Sequence, residues 1–447
     1  MATTTTNYGL TKPARGDSNW DVVLNNNFDS IDTQIKVREN DIASINSQIG
    51  DIRAYGLRYK VSTGQLTRLG AAAGKTAITG GVNDFDNIMP WAGMRRCNLA
   101  DNLDVLAYYG DANYKEDGSN GQVMVETPAF YYKRGWIDSD TLETWVSTLH
   151  LAGFKRHPLF YDADGNECDK AYVGANEGSI FDASAGAYLL ADEQVADFTA
   201  GTGDKLCSIA GAKPCSGLTQ NLTIGNTRIL ANNRGIGWEQ LFNNAVSAIQ
   251  MLLIVEYGSL DSQGIVGLGV TNKTDDGASN LAVNTGGTSI LGNKSGIAPG
   301  TNGLVSVSYR GIENFWGNIW TWVDGINIQN QKAFISKVNG NFASDKFDGN
   351  YKDSGILIPN ANNYVSKVGV NYNVDWAFLP TDVSATSSSG YHDYLYQNPS
   401  GNFVARLGGL WSYGLQAGAF NWALYYGSGY RGRDVGARLC AVKKTVK

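Results

Sequence analysis

The sequence predicts an α+β protein, with an N-terminal coiled coil followed by one large β-rich domain carrying long loops. Three observations lead there. Between residues 28 and 52 the apolar residues keep a strict heptad spacing. Gly makes up 54 of the 447 residues and Pro only 9, while charged residues are 17 %, below the roughly 25 % of an ordinary soluble domain. One helix-spaced segment, near 238–253, stands among many short strand-like runs bounded by turn residues.

Taken in chain order, Thr6–Asn19 is polar and turn-rich, with Pro13 and Gly16, and reads as an extended segment. The opening MATTTTNYGL has neither a basic region nor an apolar one, so no secretory signal is expected. Asp17 or Ser18 can cap the helix that follows. Over 18–55, Phe28, Ile31, Ile35, Ile42, Ile45, Ile49 and Ile52 fill the a and d positions of one unbroken register, which only Arg38 interrupts. That stripe is too narrow and too regular for a helix packed on its own domain. Ile at both a and d disfavours a two-stranded coil and favours three or four strands. Arg38 then acts as a polar register device or an ion-binding point. At 1.5 Å per residue the seam is about 37 Å long.

The remainder, 56–447, reads as strands and loops. Leu57–Val61, Val123–Lys133 and Thr144–Ser147 have strand character, and Leu159–Val173 reads as a hairpin turned at Asp164 and Gly165. Trp238, Leu241, Phe242, Ala245, Val246, Ile249, Leu252 and Leu253 keep helical spacing, and Gly258 marks the end. Residues 258–310 are rich in Gly, Ser, Asn and Thr and are expected to form long loops. The three Trp and one Phe of Glu313–Gly325 are expected in the core.

Bulk properties exclude several function classes. The net charge is −6 with no basic stripe, so nucleic acid is not an expected partner. The longest apolar run, Met251–Val255, is far too short to span a bilayer, so no membrane insertion is expected. Five cysteines, odd in number and without a C-x-x-C pair, read as buried thiols of a protein assembled in a reducing cytosol. Gly70–Thr76 (GAAAGKT) is one residue short of a phosphate loop, and Asp162–Asp169 lacks calcium-loop spacing. No metal and no cofactor are therefore expected. His150, His157 and His392 are the only histidines, and none stands in a nucleophile–base context, so no catalytic residue is assigned.

Residues 402–441 are crowded with Gly, Tyr, Ser and Arg, the alphabet of adaptable binding surfaces. With period 2, Phe420, Trp422 and Leu424 fall on one face, and Asn421, Ala423 and Tyr425 on the other. The first face is expected in the core and the second at a presented surface.

Three motifs now stand in order: Gly317-Asn318-Ile319-Trp320-Thr321-Trp322, Gly408-Gly409-Leu410-Trp411 and Gly436-Ala437-Arg438-Leu439. Together they resemble the formylglycine-generating-enzyme type of C-type-lectin fold, in particular the ligand-binding variable proteins of phage tails that are diversified by retroelements. The resemblance covers about 57–442. Asn113–Lys133 and Ala231–Gly258 are similar to recurring segments of phage tail fibres, and Tyr8–Ile35 resembles their attachment segment. The resemblance implies a homotrimeric tail-tip or fibre protein of the virion tail, made in the host cytoplasm, which binds a host cell-surface protein or glycan. Segment 1–17 would dock on a tail or baseplate protein, 18–55 would trimerise, and 56–447 would form the lectin-like domain. Its variable region, about 402–442, would bind ligand through Ser412, Tyr413, Leu415, Asn421, Ala423, Tyr425, Tyr426, Ser428, Tyr430, Arg431 and Arg433. Trp411, Phe420, Trp422 and Leu424 would be fixed scaffold. The chain departs from the parent enzyme in keeping only Cys440 near the C-terminus, so formylglycine-generating activity is not expected. It also lacks the EPN, QPD and WND motifs of calcium-dependent lectins. A tail-associated polysaccharide depolymerase and a purely structural tail component are the rival readings.

Overall fold

The computed structural model describes residues 3–4, 11–12, 14, 18–192, 195–371 and 373–443, and every count below refers to these. The chain forms two units, Met1–Ala54 and Tyr55–Lys447. In the first, a single helix runs over Trp20–Arg53. All seven apolar seam positions lie on it. Phe28, Ile31, Ile35 and Ile42 are between 38 % and 59 % exposed on the single chain, a large apolar exposure for one helix. Segment 1–17 falls almost wholly outside the described residues.

The second unit is built around the helix Asn243–Tyr257, every residue of which is buried. It packs against the strands Thr141–Ser147 and Trp320–Gln329, which belong to different sheets. A helix covered all round must answer for its polar side chains. Asn244 donates to Asn339 Oδ1 at 2.9 Å and accepts from Trp376 Nε1 at 2.8 Å. Gln250 donates to the Ala419 carbonyl at 2.7 Å. Glu256, fully buried, accepts from Arg310 Nε and Nη2 at 2.8 and 2.7 Å, from the Tyr309 hydroxyl at 2.9 Å and from Asn83 at 2.7 Å. Gly258 ends the helix in the left-handed conformation at φ 62, which its missing Cβ permits.

A five-stranded sheet runs in the order Lys155–Arg156, Tyr131–Trp136, Thr141–Ser147, Ala54–Lys60, Gln65–Gly70. A six-stranded sheet runs Trp238–Gln240, Leu439–Ala441, Lys170–Gly174, Gln122–Pro128, Arg95–Leu99, Val105–Tyr108. The eight-stranded sheet runs Tyr351–Leu357, Lys332–Ser336, Trp320–Gln329, Asn402–Gly408, Gly418–Tyr426, Tyr394–Gln397, Asn363–Tyr364, and Val435–Gly436 pairs in parallel with Trp320–Thr321. Trp316, Trp320 and Trp322 are all buried. The unit is thus β-rich with few helices.

Three expectations are corrected. The helix begins at Asn243, because Trp238–Gln240 is captured as a strand by Leu439–Ala441, with Trp238 opposite Ala441. Its apolar spacing continues the helical period but its hydrogen bonds go to the sheet. Val123–Lys133 is two strands, Gln122–Pro128 and Tyr131–Trp136, since Pro128 has no N–H to continue the ladder. The hairpin over 159–173 reduces to a bridge between Tyr161 and Glu167. Its turn is closed by the Asp162 carboxylate, which accepts from the Asp164 and Asn166 amides at 3.0 and 2.8 Å. The acidic run there builds a turn.

The loop entering the long central strand depends on one buried acid. Glu177 accepts from Asn314 and Asn318 at 3.1 and 2.6 Å. Those two Asn hold left-handed backbone at φ 46 and 61. Burial pushes the Glu177 carboxyl up to about 8, against the pull of nearby Arg438. The folded chain therefore holds this proton more tightly than the unfolded chain. The resulting stabilisation is full below the unfolded value, near 4.5, and is lost as pH rises to about 8. The urea midpoint should fall between pH 5 and pH 8, and Glu177→Gln should flatten that fall; an unchanged slope in the variant would refute the assignment. Leu252→Ala, in the fully buried helix, should cost about 2–5 kcal/mol in urea unfolding.

Candidate ligand-binding surface

Strand Gly418–Tyr426 lies between two neighbours, antiparallel to Asn402–Gly408 and parallel to Tyr394–Gln397. It is therefore an inner strand, and its residues 418–424 are buried on both faces. Phe420, Trp422 and Leu424 join the main core. Ala423 joins a second cluster with Trp320, Trp322, Leu410 and Trp411. Asn421 donates to the Tyr394 carbonyl. Asn421 and Ala423 are 0 % and 1 % exposed, so neither belongs to a presented surface, contrary to the sequence expectation. The alternation is real, but the second face has its own apolar cover.

The surface emerges at the strand's end. The register with Asn402–Gly408 shifts between Val404 and Arg406, where an extra residue bulges from the longer strand. After that bulge Tyr425 and Tyr426 turn toward each other, with ring centroids 4.2 Å apart. Tyr426 stacks on Tyr430 at 3.7 Å and 13°. Tyr425 lies 6.2 Å from Tyr396, which contacts Tyr413 at 5.3 Å and Tyr394 at 4.7 Å. Tyr394 meets Tyr364 edge-on at 5.1 Å. The result is a continuous run of half-buried tyrosines. Tyr394 and Tyr396 were not among the expected site residues; their spacing of two within a strand-like YLYQ is the signal that could have found them.

Arg406 lies behind these rings and is 1 % exposed. Its guanidinium carbon is 4.5 Å from the Tyr426 centroid, 5.2 Å from Tyr425, Tyr430 and Trp320, and 5.9 Å from Trp322. None of its three nitrogens has a hydrogen-bond acceptor, and the nearest carboxylate oxygen, on Asp434, is 3.8 Å away. Aromatic faces thus take the place of acceptors around this charge. A desolvated cation over an aromatic ring gains on the order of 2 kcal/mol. Asp434 also accepts from the Tyr430 hydroxyl at 3.1 Å. Burial raises the phenols of Tyr396, Tyr413, Tyr425 and Tyr430 above the ordinary tyrosine value, so these hydroxyls remain hydrogen-bond donors at neutral pH.

The turn carrying Tyr413 depends on Gly408 and Gly409, at φ 98 and 86. A Cβ on Gly409 would also meet Ala417 at 2.7 Å. Around the tyrosines stand the remaining expected residues. Leu415 is 53 % exposed, Arg431 is exposed, and Ser412 is half-buried. Arg433 is engaged internally, donating to Asp275 at 2.8 and 2.9 Å and to the Ser279 carbonyl at 2.7 Å. Ser428 donates to Asp345. Both tie the 427–434 loop to other loops and make it a formed surface. Cys440 is buried, and burial raises its thiol further from the reactive thiolate.

No family model and no curated protein matches the sequence. Among solved structures, the chain is similar to one described as "Major Tropism Determinant P3c Variant", at 12 % identity over 78 % of this chain and 71 % of that chain, with a TM-score of 0.25. A superposition that loose does not establish a shared fold.

Arg406→Met keeps the volume of the side chain and removes its charge. The lost cation–ring attraction, on the order of 2 kcal/mol, is set against the relieved cost of burying the charge, so the readout is the ring array itself: the tyrosine near-ultraviolet circular dichroism should weaken. An unchanged spectrum would show that the cation does not hold the rings.

Proposed function

We propose that the chain is a phage tail-tip or tail-fibre protein that binds a host cell-surface protein or glycan through the tyrosine surface at its C-terminal end. The observation that carries this reading is the ring array of Tyr396, Tyr413, Tyr425, Tyr426 and Tyr430, half-exposed and fixed from behind by Arg406. Rigid aromatic side chains with donor hydroxyls supply contact area at low entropy cost. Ser412, Leu415, Arg431 and Ser428 would form the rim. The sequence resemblance to ligand-binding variable proteins of phage tails points to the same surface. The reading is non-catalytic and needs no cofactor.

The helix Trp20–Arg53 would serve as the trimerisation stalk, burying its exposed Phe28, Ile31, Ile35 and Ile42 between copies, and segment 1–17 would attach to the tail. Three copies of a weak site on one stalk raise apparent affinity by roughly 10²–10⁴ when all engage together.

Two measurements test the reading. Light scattering should give about three times 48.1 kDa for the full chain, and a monomer at micromolar concentration would refute the stalk. Replacing Tyr425 and Tyr426 together by Ala should weaken binding to host cells by about 1–4 kcal/mol. Because both rings are half-buried, some stability is lost too, but less than the roughly 3–5 kcal/mol expected for the core control Trp320→Ala. Binding that survives the double change would refute the surface. Release of sugars from host envelopes would instead favour a depolymerase.

A further inference from the structure

A second concave site lies beside the edge of the five-stranded sheet. There Lys155–Arg156 pairs with Tyr131–Trp136, placing Arg156 opposite Tyr131. These strands, with Tyr161, Lys337 and Trp376, line an open cleft of about 550 Å³. Its floor is aromatic. The imidazole of exposed His150 lies flat on Tyr131, with centroids 4.9 Å apart and planes 14° apart, and Arg156 stands 5.9 Å from the same ring.

The charged side chains that line it are mostly basic, with Asp375 and Asp169 standing close by. The protein carries −6, yet the cleft is lined by Lys155, Arg156 and Lys337 against one carboxylate, Glu167. Lys155 is neutralised by Asp375 at 2.7 Å. Arg156 is fixed by the Phe160 and Cys168 carbonyls and meets Glu167 and Asp169 only at 3.6 and 3.5 Å. Lys337 is exposed and makes no ion pair among the described residues. Flat ring faces beside the unneutralised Lys337 match a ligand with both an apolar ring face and an anion.

We propose that this cleft binds an acidic saccharide, one pyranose ring lying against the Tyr131–His150 stack and its carboxylate reaching Lys337. Aromatic faces accept the C–H face of a sugar, and Lys337 selects a uronate over a neutral hexose. The cleft uses none of the tyrosines of the C-terminal surface, so it can succeed or fail independently of the function proposed above.

The test is calorimetric titration of the full chain at low salt with a galacturonate oligosaccharide, a neutral cello-oligosaccharide of equal length, and a mononucleotide. The acidic oligosaccharide should bind at least about tenfold more tightly than either control, and added salt should weaken it. Lys337→Glu, at an exposed position, should weaken binding by about tenfold with an unchanged melting temperature, and Tyr131→Ala should abolish it. The Tyr425, Tyr426 double variant should bind the oligosaccharide as the parent does. No binding at millimolar ligand, equal binding of the neutral sugar or the nucleotide, or an unaffected Lys337→Glu would each overturn the proposal.

Discussion

A guanidinium buried without an acceptor links the interior of the eight-stranded sheet to its tyrosine surface. Arg406 has Trp320 and Trp322 on its core side and Tyr425, Tyr426 and Tyr430 on its outer side. Removing such a charge from water costs several kcal/mol. The cost is offset only if the surrounding rings keep their places, and the rings keep their places because the charge is there. The outer tyrosines are thereby coupled to the deepest tryptophans of the core. A side chain that would otherwise be free to rotate at a strand end becomes part of a formed surface.

That coupling depends on the layers beneath. The helix Asn243–Tyr257 is covered on every side, and its Gln250 ties the start of strand Gly418–Tyr426 through the Ala419 carbonyl. The strand itself is held on both edges, by Asn402–Gly408 and by Tyr394–Gln397. Only the bulge beside Arg406 releases consecutive residues toward the same side. Regular pairing would send Tyr425 and Tyr426 to opposite faces, so the irregularity is what assembles the surface. The two arginines that the sequence marks as binding residues divide: Arg431 remains exposed, while Arg433 is spent on Asp275 and a loop carbonyl.

Much of this was legible in the sequence, and the boundary is physical. The 34-residue helix at the N-terminus follows from local periodicity alone, since a heptad stripe needs no knowledge of the rest of the chain. The burial of Trp316, Trp320, Trp322, Phe420 and Leu424 follows from their size and apolarity. What tertiary structure alone decided is which neighbours each strand acquires. Asn421 and Ala423 alternate as a surface face should, yet they are buried, Ala423 in an apolar cluster with Trp320, Trp322 and Trp411 and Asn421 bonded to the Tyr394 carbonyl of the neighbouring strand. Trp238–Gln240 keeps a helical period, yet a strand some 200 residues away, Leu439–Ala441, takes its hydrogen bonds. Tyr394 and Tyr396 carry a local strand spacing, but they and Arg406 meet the other rings through contacts between segments, which no local pattern encodes. Periodicity and composition fix which residues can be buried or presented; the partner that covers a face is set by long-range pairing, and that pairing is visible only in the folded chain.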